Sequence, residues 1–485
     1  MKQKPSFLLA ITPIVSMLLL LGIGYGVFHM EAEPLLIIAA IIAALVGLKV
    51  GVKWEEMQQG IVETTAKALP SILILITVGI LIGTWMVSGT IPVMIYYGMK
   101  LINPEFLVVT AFVVTAVVSV FTGTSWGSAG TMGVAIMGIA LVQDVSLPMT
   151  AGAVVAGAYF GDKLSPLSDT TNLAPAAAGS NLYEHIKHML YTTIPAAVVG
   201  LIIYVIAGSG AAGGGADADE KLAMMTETLN ALYDWNLLLI LPVIIVLAGS
   251  IMKFPTIPVM LASVVTAIVI GVTMQGVTLE SAFVASVSGF DVTMMGGASS
   301  LSTISEDVSG LLNRGGMESM MGTTLIAFCA FSFAGVLSKT GSLEVVLEKV
   351  NDVAKSTGSL ILSTVLSCLT MAITTGSSYL SILVPGELFQ KVYQERGLHA
   401  KNLSRTLEDS GTVVVPIVPW SLAGVYMSTT LGVPVMEYLP WAIMCYVGFI
   451  FAIIFGFTGF SIERTTPSKQ NPVEDYHDQP LYKVK

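Results

Sequence analysis

Runs of about 20 apolar residues follow one another from residue 7 to residue 459, each long enough to cross the roughly 30 Å core of a bilayer as a helix. That succession leaves little choice of fold, because lipid offers backbone N–H and C=O groups no partner and the chain must satisfy them internally. A chain that is 54% hydrophobic and 11% charged also lies outside the range of soluble domains. The sequence therefore predicts an all-α polytopic membrane protein. The formal net charge of −10 marks no partner, since the acidic residues fall in predicted loops and tails, and nothing points to nucleic acid. Cys329, Cys368 and Cys445 are unclustered within apolar runs and read as buried small hydrophobes. The N-terminal run has basic residues before it but no convincing small-x-small cleavage site, so it reads as an uncleaved span.

One run departs from the rest. Residues 148–178 begin as an apolar helix and break at Gly157-Ala-Tyr-Phe-Gly-Asp-Lys-Leu-Ser-Pro-Leu-Ser-Asp-Thr-Thr-Asn172, then turn apolar again. A carboxylate at mid-bilayer costs about 2.5 to 3.5 kcal/mol even on the lenient insertion scale, so Asp162, Lys163 and Asp169 must face the protein interior or a wet cavity. The stretch reads as a discontinuous helix lining a transport site.

The apolar runs divide into two sets. Residues 1–207 form the first and 235–460 the second, with a Gly/Ala-rich, then acidic connector at 208–234 and a polar tail at 461–485. Two motifs echo between them in the same order. Phe121-Thr-Gly-Thr-Ser-Trp-Gly-Ser128 is matched by Thr374-Thr-Gly-Ser-Ser-Tyr-Leu-Ser381, and Leu167-Ser-Asp-Thr-Thr-Asn172 by Leu407-Glu-Asp-Ser-Gly-Thr412. Positive charge places both termini in the cytoplasm, with Lys67 and Lys253 inside and Asp291 outside; only Lys100 and Arg314 dissent. Each half then crosses an odd number of times, which makes the two halves inverted repeats. The uncharged Gly/Ser/Thr tips at 122–131 and 374–381 are either aqueous loops between full spans or the ends of re-entrant hairpins, and their composition favours hairpins.

At these motifs the chain resembles the NhaC family of sodium/proton antiporters, over nearly its whole length. The match rests on Gly123-Thr-Ser-Trp-Gly-Ser-Ala-Gly130, on the Gly157 to Asn172 stretch, on Gly376-Ser-Ser-Tyr379 and on Glu408-Asp-Ser-Gly-Thr412. The resemblance implies two inverted repeats, each with a re-entrant hairpin and a discontinuous transmembrane helix, and a homodimer in the cytoplasmic membrane. It implies no cofactor beyond the transported Na+ and H+. The family also includes sodium-coupled exchangers of lactate and malate, so small carboxylates stay open as substrates. An intramembrane enzyme is a third reading without support, since no His-Glu-x-x-His or other catalytic constellation appears.

Sodium is a hard cation satisfied by oxygen. Asp169, Thr170, Thr171 and Asn172 offer carboxylate, hydroxyl and amide oxygens in a run expected to be unwound. Thr122, Thr124, Ser125 and Ser128 would close the shell from the first tip, with Asp162 and Ser165 nearby. The repeat-related set is Thr375, Ser377, Ser378, Asp409, Ser410 and Thr412. Sodium is placed at Asp169, Asn172 and Asp409, and the proton-coupling pool is Asp162, Asp169, Glu408 and Asp409. Each has a plainer alternative. Asp169 could simply cap a helix; Lys163 could pair with a distant carboxylate or snorkel; Arg405 and Glu408 read as a structural ion pair at one helix face. Glu387 is either a proton carrier or a helix-start carboxylate, and His185 and His188 either sense pH or sit in a solvated helix.

Overall fold

The computed structural model describes residues 4–211, 216–296, 309–310, 312–352 and 355–465. Residues 466–485 of the expected tail and 212–215 of the connector lie outside them. Among the described residues the chain is helical, apart from one antiparallel bridge between Leu398 and Arg464. The first helices are α1 (Phe7–Leu19), α2 (Ala32–Lys49), α3 (Trp54–Val87), α4 (Thr90–Leu101), α5 (Leu107–Thr122) and α6 (Ser125–Val142). Then come α7 (Leu147–Leu164), α8 (Asp169–Ala178), α9 (Leu182–Ala211) and α10 (Ala216–Leu232). The second half holds α11 (Leu241–Ile251), α12 (Thr256–Met274), α13 (Leu279–Ser288), α14 (Met321–Lys339) and α15 (Ser342–Asp352). It ends with α16 (Thr357–Thr375), α17 (Ser378–Glu395), α18 (Ala400–Leu407), α19 (Leu422–Leu431) and α20 (Met444–Thr458). Nine described helices are long and apolar enough to cross a membrane, or up to 12 with bent pairs taken as single spans, so the polytopic all-α class holds.

The charged segment that begins at Trp54 and the apolar run that ends at Val87 form one 34-residue helix, α3, running through Pro70. The Gly/Ala-rich, then acidic connector carries the helix α10.

The breaks follow from local chemistry. α5 ends at Gly123, whose left-handed φ of 67° stops the helix, and the Thr124 side chain accepts from Gly127 N to start α6. α16 ends the same way at Gly376 (φ 61°), and Ser377 caps α17. α7 ends at Leu164, and Ser168 caps α8 through Thr171 N. α18 passes into a π-helical turn, Glu408–Thr412, and Ser421 then caps α19. α8 and α19 are each 10 residues long and each ends on a left-handed glycine, Gly179 and Gly432. The chain length from Gly123 to Gly179 equals that from Gly376 to Gly432. Of the two echoing motifs, residues 167–172 begin the segment after a break, whereas 407–412 lie before one.

α7, which carries Asp162 and Lys163, lies against α5 on glycines. A Cβ at Gly157 would stand 2.3 Å from Phe112 O, and one at Gly161 2.3 Å from Ala116 O. Ser119 Oγ donates across the same seam to Ala158 O at 2.6 Å. Small residues and a hydroxyl therefore bring two backbones together where lipid gives no hydrophobic drive.

Candidate functional site

The breaks surround a cavity of about 810 Å3. Thr122, Thr124 and Ser125 reach it from the α5/α6 tip, Ser377 and Ser378 from the α16/α17 tip, and Asp162, Asp169 and Thr170 from the α7/α8 break; Thr412 joins from the second broken helix. Asp162 is 7% exposed, and its Oδ2 accepts a hydrogen bond from Ser125 Oγ at 2.9 Å. Tyr159 lines the same wall.

Asp169 sits differently. It is exposed in the first turn of α8, and its Oδ2 accepts from Tyr379 Oη at 3.2 Å. The expected unwound run 169–172 is helical, because Ser168 caps it; the unwound residues are 165–168. Thr171 Oγ1 is spent on Asp162 O and Lys163 O, and the Asn172 amide on Pro166 O and Ser168 O. Both tie the break together. Ser165 Oγ donates to Val120 O and Ser128 Oγ to Thr124 O, while Thr375 and Ser410 bond back to Met371 O and Thr406 O in their own helices.

Behind the cavity wall lies a second polar cluster. Lys163 Nζ donates to Asp409 Oδ1, and both side chains are fully buried. Thr192 Oγ1 of α9 donates to the same oxygen at 3.0 Å, while Asp409 Oδ2 has no partner. Glu408 is also fully buried, with neither oxygen hydrogen-bonded. Asp169, Asn172 and Asp409, expected to share a sodium ion, have separate hydrogen-bond partners here.

The Arg405–Glu408 pair is likewise replaced: Arg405 Nη1 donates to Ser461 Oγ at 2.7 Å. The π-turn that starts at Glu408 changes the phase of the helix after Arg405. His185 and His188 are buried rather than solvated, bonded to Ser404 Oγ and to Lys401 O and Ser461 O. Glu387 is exposed in the interior of α17, far from a helix start.

Three contributors were not legible. Lys67 and Lys253, expected only as cytoplasmic charges, line the cavity. Thr192 carried one signal, a Thr-Thr pair inside an apolar run.

A many-span helical protein with paired broken helices, a polar cavity at the breaks and a buried ion pair beside it has the construction of a secondary transporter. A sequence model described as the Na+/H+ antiporter family matches residues 157–460. The chain is 54% identical to an uncharacterized Na(+)/H(+) antiporter of Haemophilus influenzae, over 95% of this chain and 98% of that one. It is 36% identical to the Na(+)/H(+) antiporter NhaC of Alkalihalophilus pseudofirmus (92% and 96% covered) and 33% identical to a malate-2H(+)/Na(+)-lactate antiporter of Bacillus subtilis (95% and 96%). The chain belongs to the Na+/H+ antiporter family.

Proposed function

We propose that the chain exchanges Na+ for H+ across the cytoplasmic membrane and that Asp162 is the carboxylate for which the two ions compete. Asp162 carries this reading: it is a buried carboxylate that reaches the open cavity and holds a hydroxyl partner, Ser125. The family and its antiporter relatives support the choice of ions.

Lys163 and Asp409 balance one another, which leaves Asp162 as a buried carboxylate on the cavity wall without a cation bonded to it. Bare, it is costly to carry through the membrane interior; loaded with either Na+ or a proton, it is neutral. That makes movement of the site conditional on cargo and links the two ions by exchange. Glu408, buried without a hydrogen-bond partner, supplies a second carboxyl able to carry a proton. The inverted repeat, the re-entrant tips, the cytoplasmic termini and the homodimer belong to the same proposal.

A second reading adds a small carboxylate as cargo. Lys67 and Lys253 line the cavity, and the capped N-terminal ends of α6, α8 and α17 face it through Thr124, Ser168 and Ser377. Proteoliposomes loaded at fixed pH and given a Na+ gradient separate the two. Sodium-driven alkalinisation or acidification without organic anion supports antiport; movement only when lactate or malate is present supports the second reading.

A further inference from the structure

The cavity ends at two stacked aromatic rings, and another cavity begins behind them. Trp126 of α6 and Tyr426 of α19 lie with ring centroids 4.4 Å apart and planes 9° from parallel. Tyr426 Oη donates to Trp126 O at 2.7 Å. The contact falls at the π-helical turn Ala129–Gly133 of α6, and Gly130 makes room for it: a Cβ there would stand 2.7 Å from Tyr426 Oη.

Both helices show the same order along their length. On α6, Trp126 lines the cavity of about 810 Å3, while Val134 lines a second one of about 630 Å3. On α19, Leu422 and Ala423 line the first, Tyr426 is the plug, and Thr429 and Thr430 line the second. From Ala423 to Thr429 is about 9 Å of helix. On both helices the stacked pair thus falls between residues of the first cavity and residues of the second. The charge pattern of the sequence assigns Lys67 and Lys253, at the first cavity, to one side of the membrane and Asp291, at the second, to the other.

The motif counterpart of Trp126 makes the complementary contact. Tyr379 of α17 meets Asp169 at the start of α8, and this contact is exposed to the first cavity. Each tip aromatic thus touches the second segment of the other half's broken helix, one contact sealed and one open.

We propose that Trp126 and Tyr426 are the closed gate of the transport path, and that the second cavity is the vestibule by which the same site opens to the opposite side. The proposal rests on the transporter reading, but its test does not depend on which ion moves. Ser378→Cys reports the first cavity and Thr429→Cys the second; the three native cysteines are buried, and the parent protein gives the background. A membrane-impermeant maleimide applied to right-side-out and inside-out vesicles should label the two variants from opposite sides. Adding Trp126→Ala should let each react from both sides, and a Na+ gradient should collapse at least tenfold faster without matching proton movement. Gly130→Ala, which forces Tyr426 off its seat, should do the same if Trp126→Ala fails to assemble. Tyr426→Phe keeps the rings and should keep sided labelling. Labelling of both cysteines from the same side, or sided labelling that survives both gate variants, would overturn the gate. Loss of ion exchange in the parent protein would instead strike the functional reading.

Discussion

Lys163 in α7 and Asp409 in the π-turn after α18 form a fully buried ion pair that joins the two interrupted helices. Two charges taken out of water gain little over an apolar pair, yet removing one of them leaves the other uncompensated at a cost of about 3 to 5 kcal/mol. Lys163→Met and Asp409→Asn should each lower the unfolding temperature in detergent clearly. The double variant Lys163→Met/Asp409→Leu should recover most of that loss while remaining inactive, since Asp162 then sits in an altered field. Single variants as stable as the parent would show that the pair does not hold the helices.

Ser125 bonds the buried Asp162, whereas Asp169 is exposed at the start of α8. Ser125→Ala removes a hydrogen bond to a charged group, worth about 1.5 to 3 kcal/mol, and should weaken apparent Na+ affinity at least tenfold at unchanged protein level. Asp169→Asn touches an exposed helix-start carboxylate and should change affinity only a few-fold. Sodium titration of transport rates checks both; the reverse ranking would return the ion site to the start of α8.

The class of protein and the presence of an interrupted helix in each half were readable from the sequence, because Gly, Pro and hydroxyl residues in an apolar chain have few uses; the unwound residues themselves, 165–168, lie just before the run expected to be unwound. The helix start at Ser168 was readable too: Ser followed by Asp and Thr is an N-cap signal, and it was outweighed by the two prolines nearby. Matching Asp169 to Asp409 followed local similarity, yet the two lie on opposite sides of their breaks: Asp169 starts the helix after one, and Asp409 lies in the π-turn before the other. Lys163–Asp409 and Trp126–Tyr426 join residues far apart in the chain. No local pattern encodes them; they depend on how the interrupted helices cross.

Gly161 tests the positioning of the site rather than its chemistry. Its Cβ position lies 2.3 Å from Ala116 O, backbone that cannot swing aside. Gly161→Ala should separate α5 from α7 at a cost of about 1 to 3 kcal/mol and move the adjacent Asp162 off the cavity. Reduced thermal stability together with reduced transport is expected; loss of neither would show that the seam is loose.

At the membrane edge, Lys401 and Glu463 pin the segment after α20 against the first turn of α18, and His399 N donates to Glu463 O at 3.0 Å. The hydrogen bond from Lys401 holds the Glu463 carboxyl below its ordinary value. A depressed carboxylate contributes stability above its unfolded pKa and loses it as pH falls through the folded one. The contribution is small because the Glu463 carboxylate is half exposed and screened by water. The protection of the His399 amide relative to its intrinsic exchange rate should therefore fall only under acid conditions below the ordinary carboxylate range, and protection lost at neutral pH would contradict this.

The central claim is that Na+ and H+ compete for Asp162. Asp162→Asn keeps the size and the Ser125 contact but binds neither ion. In proteoliposomes with an internal pH dye, a sodium pulse should drive proton movement through the parent protein, and Asp162→Asn, reconstituted at equal density and with unchanged thermal stability, should show none. Sodium-driven proton movement by Asp162→Asn at the parent rate would contradict the account.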